Sequence, residues 1–172
     1  DRIAYLYVRA LALIAIALIV VFQPELRRAL IRLGETSFFR AGQPEIEQVS
    51  GDLSSACQYL AKSRFGALIV IERAVGLRSL TEGGTELNAD LSARLLQTIF
   101  YPGSALHDLA AVVKGRKLWA AGVQLPMADP TEMPDPTLGS RHRAAVGITK
   151  ESDALVLVVS EETGAIRFAE RG

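Results

Sequence analysis

The stretch Gly66-Ala67-Leu68-Ile69-Val70-Ile71-Glu72-Arg73 is an unbroken apolar run that opens on glycine and closes on a charged pair. Its short length and its β-branched Ile69, Val70 and Ile71 predict a buried strand. Upstream, Leu53, Cys57, Leu60 and Ala61 recur at helical spacing and predict a helix over 52–63. Downstream, Gly76, Gly83 and Gly84 mark a loop over 76–85 that lacks the spacing of a phosphate-binding glycine loop. Asn88 is the expected cap of a helix running to Phe100, with Leu91, Leu95 and Ile99 on one stripe and Tyr101-Pro102-Gly103 as its stop. Residues 110–113 and 118–123 read as two strands joined through Lys114-Gly115-Arg116-Lys117. A proline-rich loop follows, then an apolar strand over 154–160, the turn Glu161-Glu162-Thr163-Gly164, and a last strand over 165–168. Helices interleaved with strands and hairpins predict a mixed α/β domain from about residue 50 onward.

The 172 residues are 49% hydrophobic and 22% charged, a globular composition, and the formal net charge is zero. No global field therefore draws in nucleic acid, and any anion site must be local. The single cysteine, Cys57, excludes an intrachain disulfide and a cysteine zinc site; its small and apolar neighbours mark it as core filler.

Residues 3–22 are apolar except for Arg9, with Tyr5 and Tyr7 near their start. That length suits a bilayer-spanning helix with aromatic and basic residues at one interface. A buried core helix competes with this reading; a secretory signal fits poorly, because no small-residue cleavage pattern follows. Arg27, Arg28 and Arg32 would keep the following domain on the cytoplasmic side. Pro24 to Leu33 reads as a juxtamembrane helix stopped by Gly34, and 36–48 as a linker. The expected organisation is a membrane helix over 1–22, a juxtamembrane helix and linker over 23–49, and the α/β domain over 50–172. Because the chain opens directly on the apolar run, further membrane helices are expected upstream.

Three polar clusters fall at strand ends or a helix start: His107-Asp108, Ser140-Arg141-His142-Arg143, and Ser160-Glu161-Glu162-Thr163. The second places two arginines at a helix entry, where unpaired amides and the helix dipole favour phosphate. Carboxylates and histidine in the other two suit a hard cation. A serine hydrolase is a poor fit, since no Gly-x-Ser-x-Gly elbow occurs.

Taken together, Phe22-Gln23-Pro24-Glu25-Leu26-Arg27-Arg28, Gly66 to Arg73, Leu106-His107-Asp108, Ser140 to Ala145 and Ser160 to Gly164 resemble the membrane-anchored bacterial diadenylate cyclases, in the family's order. The resemblance implies an α/β cyclase domain with a mixed central sheet flanked by helices, and condensation of two ATP into cyclic di-AMP and two pyrophosphates by two such domains meeting face to face with one ATP each. It implies that Asp108 activates or orients the ribose 3′-hydroxyl and that Arg141, His142 and Arg143 grip phosphates, with Ser140, Ala144 and Ser160 beside them. Leu125 and Met127 are the implied adenine-pocket residues, and His107, Glu161 and Glu162 the implied ligands of Mn²⁺ or Mg²⁺. A bacterial cell membrane, a membrane regulator and a phosphoglucosamine mutase are the implied surroundings and partners.

One residue departs from the family pattern. Leu109 stands where the family has glycine after the aspartate. A leucine there resists positive φ and crowds any ligand against that backbone. The alternative expectation is a nucleotide-binding, catalytically impaired sensor or scaffold; a third is an interaction domain that binds no nucleotide.

Overall fold

A computed structural model of the chain describes residues 43–172 except 134 and 136, and before them only positions 2, 5, 9, 11, 14 and 22. The chain divides into two compact units, 1–42 and 43–172. In the first, the six described positions are helical, and the Arg9 guanidinium lies 5.0 Å above the Tyr5 ring. The rest of the expected membrane helix and the expected helix over 24–33 lie outside the described residues. Among the described residues, no helix is long and apolar enough to cross a membrane.

The second unit runs α1 (Gln43–Ser63), β1 (Ala67–Glu72), α2 (Arg78–Thr81), β2 (Thr85–Asp90), α3 (Ala93–Ile99), β3 (Ala110–Lys114), β4 (Lys117–Val123), a 3₁₀ turn (Pro130–Glu132), α4 (Ser140–Glu151), β5 (Leu155–Val159) and β6 (Ile166–Ala169). The six strands form one sheet in the order β2-β4-β3-β1-β5-β6. Among the described residues, only β1 and β3 run parallel, and every other pairing is antiparallel. The expected mixed α/β architecture is therefore present.

The apolar run that predicted β1 is apolar throughout because both faces of the strand are covered. Ala67 and Ile69 face a core with Leu53, Cys57, Leu60 of α1 and Leu96 of α3. Leu68 and Val70 face a second core with Ala144, Ala145 and Ile148 of α4. Burial pushes the Cys57 thiol up to about 11, so it stays protonated and acts as packing.

Several local expectations are corrected. The helix expected from Asp52 begins at Gln43, inside the expected linker, and Asp52 accepts a hydrogen bond (3.1 Å) from the Ala93 amide at the start of α3. The glycine-rich loop contains the short α2. The helix expected from Asn88 starts at Ala93, with Ser92 as its cap; its hydroxyl accepts from the Leu95 amide. Residues 85–90 are instead an edge strand paired with β4, with an irregularity between Glu86 and Ala89 where Asn88 sits at φ 45°. The apolar spacing of Leu91, Leu95 and Ile99 was compatible with an earlier helix start, and only pairing with β4 decides against it.

The C-terminus of α1 is closed by a left-handed residue that is not glycine. Arg64 has φ 55°, its amide donates to the Ala61 carbonyl, and the Phe65 amide donates to the Leu60 carbonyl. This is the double hydrogen bond of a Schellman ending. Gly164, at φ 71°, lets the β5–β6 turn lie on this ending, because a Cβ there would sit 2.6 Å from the Ala61 carbonyl oxygen.

Candidate active site

Strand register gathers the polar clusters at one end of the sheet. Ile69 pairs with Ala111 and Ala67 with Val159, so the entries to β1 and β3 lie beside the exit of β5. Ala110 pairs with Val123, which brings the exit of β4 and its following loop to the same end. Gly66, Asp108, Ser160 to Glu162 and the loop from Gln124 therefore converge there. The first turn of α4 docks onto this end.

That turn carries Ser140, Arg141, His142 and Arg143, and the His142 and Arg143 amides both donate to the Gly139 carbonyl. The two arginines diverge, as residues about 200° apart on a helix must. The Arg141 side chain is 19% exposed and donates from Nη1 to Glu161 Oε2 at 2.7 Å. Its Nε is buried without a partner. A Cβ at Gly66 would lie 2.5 Å from Arg141 Nη1 and 2.8 Å from Glu161 Oε2. The missing side chain at Gly66 is thus the slot that receives the ion pair.

Arg143 points the other way. Its Nε donates to the Ala128 carbonyl (3.0 Å), and its own carbonyl accepts from the Ala128 amide (3.0 Å). Leu125, an expected pocket residue, is 6% exposed and packs in the core with Ala144 and Ile148. Met127, the other, is 49% exposed. Of the two, Met127 is the one that offers a surface to a ligand.

His142 is half-buried, with Nε2 buried and unpartnered. Burial, then the Arg167 and Arg141 charges, hold its pKa below the usual histidine value, opposed by Glu162. It is neutral at pH 7.

Asp108 is 80% exposed, and its Oδ1 lies 3.1 Å from His107 Nε2. His107 Nδ1 faces the Ser104 carbonyl, which can only accept, so Nδ1 carries the proton. In the neutral ring Nε2 then presents a lone pair to a carboxylate. Two such acceptors are reconciled by a proton or a cation between them. By donor type, an imidazole nitrogen beside a carboxylate oxygen suits a divalent cation, and the 3.1 Å separation is equally that of a histidine–carboxylate hydrogen bond. Among the described residues, no three His, Cys, Asp or Glu side chains come together, and Glu161 is engaged by Arg141. Glu162 is exposed beside it.

Leu109 lies outside the left-handed region: among the described residues only Arg64, Asn88 and Arg171 are non-glycine residues with positive φ. The strain argument against leucine therefore does not apply. Its side chain is 42% exposed, next to Asp108. Ser160 is partly buried and organises the β5–β6 turn: its carbonyl accepts from the Gly164 amide and its hydroxyl from the Thr163 amide.

Sequence reasoning passed over Gly66 and Gly147. Gly147 is an isolated glycine inside a helix, a pattern that signals close packing. A Cβ there would collide with the Pro126 carbonyl oxygen.

A protein-family model described as "DAC: DisA bacterial checkpoint controller nucleotide-binding" matches residues 54–172. The chain belongs to this DAC family. It is 45% identical over 161 residues to the cyclic di-AMP synthase CdaA of Bacillus subtilis, covering 91% of this chain and 59% of that protein. It is 47% identical over 140 residues to the diadenylate cyclase CdaS of Bacillus thuringiensis, covering 81% of this chain and 69% of that one. This DAC-family chain thus spans 59% of the length of the first of these relatives. Among solved structures it is similar to a double mutant of DacA from Staphylococcus aureus, with TM-score 0.72 and 42% identity over 76% of this chain and 86% of that one. It is also similar to a protein from Bacillus cereus described as a hypothetical membrane spanning protein. There the TM-score is 0.70 at 42% identity, over 90% of this chain and 76% of that one.

Proposed function

We propose that the chain is a diadenylate cyclase, which condenses two ATP into cyclic di-AMP with release of two pyrophosphates. The observation that carries this reading is the DAC-family match over 54–172, the span that contains Asp108 and the arginine-bearing first turn of α4. Phosphate at that turn meets helix N-terminal amides and the Arg141 guanidinium, whose buried Nε has a donor to spare. Arrival of the triphosphate would exchange the Glu161 carboxylate for phosphate oxygens as the partner of Arg141. The exposed Asp108 carboxylate would orient a ribose 3′-hydroxyl and accept its proton as the oxygen attacks an α-phosphate. His142, neutral in its half-buried setting, adds a hydrogen-bonding group without a competing charge.

A divalent cation would be held by His107 with Asp108 beside it; Glu161 and Glu162 of the β5–β6 turn would join only by moving toward it, since among the described residues these side chains do not come together. When bound it would neutralise charge on the phosphate chain. Each chain supplies one Asp108 and one Arg141, and the product has two phosphodiester bonds. One ATP per subunit of a face-to-face homodimer satisfies that symmetry. Residues 1–22 would tether the domain, as the apolar run over 3–22 supports, with 23–49 as the connection and 50–172 as the catalytic domain at the inner face of a bacterial membrane. A membrane regulator and a phosphoglucosamine mutase are the partners proposed on resemblance.

Incubation of the purified protein with ATP and Mn²⁺ or Mg²⁺ should yield cyclic di-AMP by mass spectrometry, and Asp108→Asn should abolish it. No product at high enzyme concentration sinks the cyclase reading. The second reading, a nucleotide-binding scaffold, is favoured only by the exposed Leu109 side chain beside Asp108. It is distinguished by ATP binding without turnover that Leu109→Gly restores.

A further inference from the structure

We infer that Arg143 is a positioning residue for the base of the nucleotide rather than a phosphate ligand, and that Gly147 is its partner in that task. The inference rests on the cyclase reading and deepens it. The loop leaving β4 is fastened to α4 at two points one helical turn apart. At the first, Arg143 and Ala128 exchange two 3.0 Å hydrogen bonds, one through the Arg143 Nε and one through its carbonyl. At the second, the Gly147 backbone admits the Pro126 carbonyl so closely that no Cβ fits between them.

Within the fastened segment Leu125 and Ala128 are buried, while Met127 projects half-exposed. The clamp therefore fixes one polarisable side chain beside the turn expected to hold phosphate. A nucleotide anchored there by its triphosphate would find Met127 as an apolar contact for its purine face. The two arginines then divide the work. Arg141, turned toward Gly66 and Glu161, meets phosphate; Arg143, turned toward Ala128, sets where the base can lie.

The test compares Arg143→Ala and Gly147→Ala with wild type by calorimetry, using inorganic tripolyphosphate, ATP and GTP as probes. Gly147→Ala is chosen because alanine favours the helix itself while its methyl must push the Pro126 backbone away. Both variants should bind tripolyphosphate within about twofold of wild type and lose ATP affinity by about tenfold or more, with the ATP-over-GTP preference shrinking in step. Hydrogen exchange at the Ala128 amide should quicken in both. Tripolyphosphate binding that falls as far as ATP binding in Arg143→Ala would make Arg143 a phosphate ligand and overturn the inference. Unchanged ATP affinity in both variants, or unchanged Ala128 exchange, overturns it equally. A wild-type protein that binds no ATP at all removes the cyclase reading, and this inference with it. That outcome is distinct from one in which wild type and variants bind ATP alike.

Discussion

Gly66→Ala separates the stability of this fold from its ability to hold phosphate. The added methyl would lie 2.5 Å from Arg141 Nη1, 2.6 Å from its Cζ and 2.8 Å from Glu161 Oε2, distances no carbon tolerates. What must move is the far end of a flexible side chain, so the backbone can stay. Gly66 has no positive φ, so alanine adds no backbone strain there. The alanine stiffens the unfolded chain, a gain of about 0.4–1 kcal/mol. Losing the Arg141–Glu161 pair, with Glu161 exposed, costs about 0.5–1 kcal/mol after solvent screening. These nearly cancel, and the melting temperature should shift by no more than about 4 °C.

Ligand affinity should not cancel. A hydrogen bond between a charged donor and a phosphate is worth about 1.5–3 kcal/mol. Displacing the guanidinium should therefore weaken ATP binding by about 10- to 100-fold. Thermal unfolding and calorimetry on the same sample read both quantities. If Gly66→Ala binds ATP like wild type while Arg141→Ala does not, the slot at Gly66 is not what places the arginine, and the reasoning fails.

Arg64→Gly should stabilise the protein by about 1 kcal/mol, because glycine occupies the left-handed position of the α1 ending without the Cβ penalty; denaturant unfolding checks this, and a loss of stability would refute it. His142 should make the fold more stable above pH 6.5 than below it. Its pKa is lowered on folding, so the unfolded chain binds the proton more readily, and stability falls as pH drops from about 6.5 through the lower folded value. His142→Gln should flatten the melting temperature across pH 7.5 to 5.5, and an unchanged slope would count against it. Leu109→Gly should lower stability by about 0.5–1 kcal/mol, since no positive φ is relieved and glycine frees the unfolded chain. It should also raise cyclic di-AMP formation, whereas an unchanged rate would show that Leu109 does not crowd the nucleotide.

Much of this molecule is written locally. The run from Ala67 to Ile71 fixes a strand covered on both faces, since an apolar sequence of that length has no polar side to give to water. Lys114-Gly115-Arg116-Lys117 fixes a hairpin because Gly115, at φ 57°, takes the conformation that a tight turn requires. The clusters His107-Asp108, Arg141 to Arg143 and Glu161-Glu162 identify chemistry suited to phosphate and a cation by residue type alone. Hydrogen bonds between distant segments are invisible to such patterns. The start of α3 depends on 85–90 pairing with β4, and the start of α1 falls in a stretch whose local composition resembled a linker.

The site shows the same division more sharply. Sequence names two arginines at one helix entry, and residues two apart on a helix point about 200° apart. Only the packing of the sheet end decides where each goes: Arg141 over Gly66 to Glu161, and Arg143 to the carbonyl of Ala128. Both destinations exist because a glycine leaves room for another backbone or a guanidinium. Which atoms fill that room is set by contacts between segments far apart in the chain, and no local pattern of residues encodes them.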